Sequence, residues 1–162
     1  MTMTDKASST IFSTPSDREI LMTRVVDAPR RLVFEVHTNP KHLPHWMLGP
    51  AGWTMPICEI DLRPGGAWRF VWRHADGSEM TIHGEYREIV PPERLVSTES
   101  WGGDWPEALN TLTLTEANGK TTITQRVRYP SQQVRDAALK TGMQDGVSES
   151  FDRLAAYLAT LA

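Results

Sequence analysis

The sequence has little of what a cross-linked, membrane-spanning or phosphate-binding protein needs. Its 162 residues contain one cysteine, Cys58, which cannot form a disulfide within the chain. No apolar run approaches the roughly 18 residues that a membrane-spanning helix requires. The net charge is -3, whereas proteins that bind nucleic-acid phosphates usually carry a basic excess. We therefore expect a cytoplasmic protein with no membrane span and no nucleic-acid partner.

Motifs for catalysis and metal binding are also scarce. No glycine pair is followed by the Lys-Ser or Lys-Thr of a phosphate-binding loop, and no Ser-His-Asp spacing stands out. His37, His42 and His45 have the spacing H-x4-H-x2-H, with Cys58 or Asp61 as a further ligand. Prolines separate the three histidines, so no single helical face aligns them as zinc requires. We expect solvated histidines, no metal site and no cofactor.

Cys58 alternates with Ile60 and Leu62 along a predicted strand. This pattern is typical of a small buried hydrophobic residue rather than of a nucleophile.

Tryptophan, in contrast, is abundant. The chain has six, at positions 46, 53, 68, 72, 101 and 105, in a sequence that is 40% hydrophobic and long enough for one domain. Such large rings suit a core, a binding cavity or an interface.

The pattern of apolar residues and turns predicts an α+β domain. We expect a flexible tail at residues 1–16 and a single domain at 17–162. A strand at 19–26 and two short helices precede six strands that tight turns connect. Residues 131–161 then have an apolar stripe at helical spacing. Gly142 and Gly146 interrupt this stripe and predict a kink or a close approach of another segment.

Several motifs, taken in order, resemble one family. They are V-x-A-P (26–29), Trp46 with Gly49 and Pro50, CEIDLRPGG (58–66), GEYREIVPPERL (84–95), TLTLTEANGKTTITQ (111–125) and TGMQDG (141–146). The sequence resembles the activator of Hsp90 ATPase homologue-like family of the START-like (SRPBCC) superfamily over residues 18–161. Met47 and Val147 depart from the family pattern, since relatives often carry tryptophan at these two positions.

The resemblance implies a helix-grip fold, in which a curved antiparallel sheet of about six to seven strands wraps around the long C-terminal helix. It also implies a cavity between sheet and helix that often holds an apolar ligand. It does not fix one function, because relatives include lipid binders, cyclases and a chaperone-activating domain.

Alternation along the strands predicts which side chains face this cavity. Trp68, Phe70 and Trp72 share one face, opposite Arg69 and Arg73. On the next strand Gly84 and Tyr86 are expected to point inward, with Glu88 near the rim. The residues expected to contact a ligand are Trp68, Phe70, Gly84, Tyr86, Glu99, Trp101, Met143, Val147 and Phe151. The loop with Trp105 either gates the cavity or caps the core.

Glu99 is the most informative single residue, because it shares a face with Leu95 and Trp101. A carboxylate on an apolar face anchors a ligand, acts as an acid or base with a raised pKa, or is hydrogen-bonded to water or Tyr86 at the cavity mouth.

Three functions follow from these features. The first is a binding protein for a small apolar or aromatic ligand. For this protein, both a monomer and a homodimer remain alternatives. The second is a cyclase or hydrolase that uses Glu99 and Tyr86. The third, a chaperone-activating role, is a minor alternative, because only about sixteen residues precede the domain.

Overall fold

The computed structural model describes residues 9–102 and 105–161. Eight strands are present in this part of the chain: β1 (Ile11–Ser13), β2 (Glu19–Val26), β3 (Trp53–Ile60), β4 (Ala67–His74), β5 (Glu79–Val90), β6 (Arg94–Glu99), β7 (Ala108–Ala117) and β8 (Lys120–Arg128). The α-helices there are α1 (Arg30–Thr38), α2 (Gln132–Leu139) and α3 (Met143–Leu161). One turn of 3-10 helix, Leu43–His45, lies between α1 and β3. None of these helices is long and apolar enough to cross a membrane.

The strands form one antiparallel sheet in the order β1-β2-β8-β7-β6-β5-β4-β3. The buried side chains of its concave face contact α3, so the sheet curves around this helix. The predicted α+β fold is confirmed, but with eight strands instead of six or seven.

The additional strand is β1, which lies inside the segment predicted as a tail. Ile11 pairs with Thr23, and Ser13 pairs with Leu21. Its three residues stand among serines and threonines and show too short a pattern for a strand to be predicted. The pairing partner, β2, completes the hydrogen bonding that the short segment cannot supply alone.

The predicted single C-terminal helix is two helices. Gly142 has a φ of +79°, a conformation that glycine adopts without steric cost, and it separates α2 from α3. Gly146 lies inside α3, where a Cβ would stand 3.2 Å from Cδ of Pro50. One glycine therefore breaks the helix and the other permits the close approach of a loop, as the sequence indicated.

A β-bulge changes the predicted orientation of Glu88. Tyr86 pairs with Ser97, but Glu88 pairs with Val96 because the register shifts between Tyr86 and Glu88. The bulge moves Ile89 to the inner face and turns Glu88 outward, where it forms an ion pair with Arg94 at 2.7 Å. The expectation that Glu88 lies on the inner rim was wrong, because strict alternation does not continue through a bulge.

Candidate functional site

Polar side chains form a continuous group on the concave face of β6, β7 and β8. Ser97 pairs with Asn110, and Gln125 lies opposite Leu112 on the same face. Gln125 Nε2 donates to Asn110 Oδ1 at 3.2 Å, and Asn110 Nδ2 donates to Glu99 Oε1 at 2.9 Å. We call these four residues, Ser97, Glu99, Asn110 and Gln125, the polar seam.

Apolar residues border the polar seam on both sides. The large core cluster includes Trp46, Trp68, Phe70, Tyr86, Leu112, Ile123, Phe151, Leu154 and Leu158. The small core cluster consists of Ile20, Met22, Ala108, Val127, Tyr129 and Ala138. Val147 of α3 packs against both clusters, and Met143 packs against the small one. The polar seam therefore lies under the first turns of α3.

Side-chain exposure shows that α3 does not close over the polar seam. On β8, Ile123 is 0% exposed and Val127 is 2% exposed, yet Gln125 between them is only partly buried. Ser97 and Asn110 are also partly exposed, although both lie on the concave face. These three residues of the polar seam therefore keep part of their surface accessible to solvent.

Two hydrogen bonds hold Glu99 at one end of the polar seam. Its Oε1 accepts from Asn110, and its Oε2 accepts from Trp101 Nε1 at 3.0 Å. Burial raises the pKa of Glu99, and the hydrogen bonds from Asn110 and Trp101 partly offset this effect. The pKa of Glu99 is thus shifted in the direction predicted from the sequence.

The residues around Glu99 differ from those that the sequence suggested. Among the described residues its hydrogen-bond partners are Asn110 and Trp101, not Tyr86. Tyr86 is buried, and its burial raises the pKa of the phenol. No Glu99–Tyr86 pair is formed, so the expected acid-base couple lacks a direct contact.

A row of aromatic rings leads from the large core cluster to the polar seam. The ring centroids of Trp68 and Phe70 are 4.8 Å apart, and those of Phe70 and Trp72 are 6.1 Å apart. Trp72 stacks on Trp101 at 5.8 Å with an interplanar angle of 15°, and its Nε1 donates to the carbonyl of Met47. Trp101 is 41% exposed, so it lies at the rim rather than inside as predicted.

Trp68 and Gly84 stand beside each other on the concave face. Trp68 is buried, and within the described residues its Nε1 has no hydrogen-bond partner. A Cβ on Gly84 would collide with the carbonyl oxygen of Thr98 and lie 2.8 Å from the Trp68 ring. The glycine thus allows the indole to lie flat against β5.

The predicted gate, the loop with Trp105, is only partly described. Gly103 and Asp104 lie outside the described residues, and Trp105 is 40% exposed. An open depression of about 550 Å³ is lined by Trp105, Pro106, Gln133, Val134 and Ala137. Another, of about 510 Å³, lies beside α2. Both depressions lie outside the polar seam.

The histidines of the first helical region have two kinds of surroundings. His37 is buried, with its ring at 4.8 Å from Trp46, and burial lowers its pKa to about 4. The expectation of a solvated side chain was wrong for His37, because α1 turns this residue toward the core. His42 Nδ1 lies 2.6 Å from the Tyr157 hydroxyl, and His45 stacks on the same ring. Within residues 9–102 and 105–161 no three His, Cys, Asp or Glu side chains form a metal-binding group.

Cys58 lies opposite Phe70 on the concave side of β3. It is partly buried, and burial raises the pKa of its thiol to about 11. A thiol with so high a pKa is a poor nucleophile, in agreement with the interpretation of its sequence pattern.

Sequence reasoning missed Ser97, Asn110 and Gln125 as site residues. The signal was present, because the inward neighbours of Asn110 and Gln125 along their strands, Ala108 and Leu112 on β7 and Ile123 and Val127 on β8, are apolar. A polar residue in such a pattern indicates either a structural hydrogen bond or a binding surface.

A curved antiparallel sheet around a long C-terminal helix, with a bordered polar seam beneath that helix, defines a helix-grip domain. The sequence profile described as activator of Hsp90 ATPase homolog 1-like protein matches residues 27–159, and the chain belongs to this family. No protein with a curated description matches the chain.

Solved structures of similar proteins share the fold. A protein from Rhodobacter sphaeroides is 28% identical with a TM-score of 0.89, and the match covers 94% of this chain and 99% of that one. A protein from Chromobacterium violaceum is 28% identical with a TM-score of 0.74, covering 86% and 96%. The AHSA1 protein from Silicibacter pomeroyi is 20% identical with a TM-score of 0.74, covering 89% and 99%.

Proposed function

We propose that the protein binds a small apolar or aromatic molecule between the concave face and α3, over the polar seam. The observation that carries this proposal is the partial exposure of Gln125 between the fully buried Ile123 and Val127. A packed core would bury all three side chains to the same extent. Space lined by apolar residues with a few polar groups is typical of small-molecule sites.

The chemistry of the lining supports a ligand with an aromatic body. Trp68, Phe70 and Trp101 offer ring faces and edges, and such rings supply large contact areas in binding sites. The Nε1 of Trp68 has no partner among the described residues, which supports an oxygen acceptor on the ligand, since a buried indole N–H is normally hydrogen-bonded. The ligand site then comprises the residues predicted from the sequence together with Ser97, Asn110 and Gln125.

A second candidate function is catalysis by Glu99. The raised pKa of this carboxyl favours it, because burial that raises the pKa of a carboxyl group is typical of residues that transfer protons in enzymes. We place this candidate after ligand binding, because Tyr86, the expected partner of Glu99 in catalysis, is not hydrogen-bonded to it. Glu99→Gln distinguishes the two: an enzyme loses turnover and keeps its ligand affinity, whereas a binding protein shows no turnover to lose.

The proposed site is tested with phenylnaphthylamine, a neutral probe whose fluorescence rises in apolar surroundings. Val147→Trp places an indole beside both core clusters and should weaken probe binding at least about tenfold, because the larger side chain fills the space over the polar seam. Ala156→Trp adds the same ring at an exposed position of α3 and serves as the matched control.

Equal probe affinity in the wild type, Val147→Trp and Ala156→Trp would place the probe elsewhere and contradict the proposed site. Circular dichroism and thermal unfolding of both variants establish that each is folded before the affinities are compared.

A further inference from the structure

Glu99 has no cationic partner within the described part of the chain. The ion pairs among the described residues do not include it, and its two hydrogen bonds come from the neutral donors Asn110 and Trp101. Among residues 9–102 and 105–161, the causes of its pKa shift are burial and these two hydrogen bonds, with no arginine or lysine. A partly buried negative charge without a counter-charge is costly, and a cationic ligand would offset this cost.

The ring of Trp101 lies directly beside this carboxylate. One face of the indole is covered by Trp72, at a centroid distance of 5.8 Å, while the residue remains 41% exposed. The uncovered part of the ring is therefore accessible to a ligand. Its Nε1 is 3.0 Å from Glu99 Oε2, so the open ring surface and the carboxylate oxygen are adjacent.

The rigidity of this arrangement favours a defined ligand geometry. Trp72 is fixed by the hydrogen bond from its Nε1 to the Met47 carbonyl at 2.8 Å, and Trp101 is fixed by Glu99 and by stacking on Trp72. Asn110, which Gln125 holds in turn, orients the other oxygen of Glu99. Groups that are fixed before binding lose little conformational entropy when a ligand arrives.

We propose that the ligand carries an organic ammonium group, a protonated amine or a quaternary ammonium, that binds between the Glu99 carboxylate and the open face of Trp101. This inference rests on the proposed function and specifies the charge of its ligand. A cation within about 6 Å of an indole centroid is attracted by the electrons of the ring, and the adjacent carboxylate adds an ionic contact. The apolar body of the ligand then extends along Trp68 and Phe70 over the polar seam.

A matched pair of compounds tests the charge directly. Naphthylmethyl-trimethylammonium and neopentylnaphthalene have nearly the same shape and differ in whether the quaternary atom is a charged nitrogen or a neutral carbon. Quenching of tryptophan fluorescence gives both affinities. The wild type should bind the cation about tenfold more tightly than the neutral isostere, the size expected for a cation against an indole and a carboxylate.

Variants identify the residues that recognise the charge. Glu99→Gln should remove most of the preference for the cation and leave the affinity for the neutral isostere within about twofold, because the shape of the site is kept. Glu149→Gln removes an exposed carboxylate of α3 and should change neither affinity. Trp101→Leu should weaken binding of the cation more than binding of the neutral isostere. This variant provides a second readout if Glu99→Gln folds poorly.

Equal affinity of the wild type for the two compounds would overturn the proposal, as would an equal loss of both in Glu99→Gln. If neither compound binds while phenylnaphthylamine does, the ammonium preference is wrong and the proposed binding site stands. If phenylnaphthylamine also fails to bind, the proposed function itself is wrong.

Discussion

The concave face of the sheet has two parts, the large core cluster and the polar seam. Both are formed by the inward residues that alternate along the strands, but they are buried to different extents. In the large core cluster Leu114, Ile123 and Leu154 are at most 1% exposed. In the polar seam, on the same strands, Asn110 and Gln125 remain partly exposed and bond to each other. In our proposal, residues that stabilise the fold and residues that bind the ligand are therefore neighbours on one surface.

The large core cluster should account for much more stability than the polar seam. Leu154→Ala removes a fully buried side chain and should lower the free energy of unfolding by about 3 kcal/mol, from lost burial and the cavity left behind. Gln125→Ala is the matched truncation in the polar seam and should cost less than about 1 kcal/mol, because the side chain already contacts accessible space. Urea unfolding measures both. A cost for Gln125→Ala as large as that for Leu154→Ala would mean that the polar seam is packed core.

The buried His37 should make the free energy of unfolding depend on pH. Its pKa is about 4 in the folded protein, below the ordinary histidine value of 6.5, so the unfolded chain binds the proton more readily. The free energy of unfolding should therefore fall as the pH drops from 6.5 to 4, by about 3 kcal/mol from this residue.

His37→Phe keeps a ring against Trp46 and should remove that part of the pH dependence. His83→Phe makes the same change at an exposed position and should preserve the slope of the wild type. Unfolding by urea at several pH values compares the three proteins. The same slope in all of them would contradict the account of His37 as a buried neutral side chain.

Most of the fold could be predicted from the sequence because short-range signals set it. The turns at Asp76 and Asn118, the alternation along β4 and the apolar stripe of α3 all act within about ten residues, and the elements appear where expected. The misses have nonlocal causes. Strand β1 depends on its pairing with β2, and the bulge near Arg87 reversed the alternation that placed Glu88.

The candidate site could be predicted only in part. The alternation predicted Glu99 on the inner face, and its partners, Asn110 and Trp101, come from a neighbouring strand and from the chain directly after β6. Strand β7 follows β6 in the chain, but the register that sets Asn110 beside Ser97 is a property of the paired strands, and no local pattern contains it. The polar seam as a group therefore could not be predicted from local sequence patterns.

The indole N–H signals in a proton-nitrogen correlation spectrum test most directly whether ligands enter the polar seam. Trp46 Nε1 donates to the Val36 carbonyl at 3.0 Å inside the closed core. Trp68 Nε1 has no partner in the described part of the chain, and Trp101 Nε1 donates to Glu99. Titration with phenylnaphthylamine should shift the Trp68 and Trp101 signals, together with the side-chain amides of Asn110 and Gln125, and leave Trp46 in place. A shift confined to Trp46, or no shift at Trp68 and Gln125 when the probe is bound, would contradict the account.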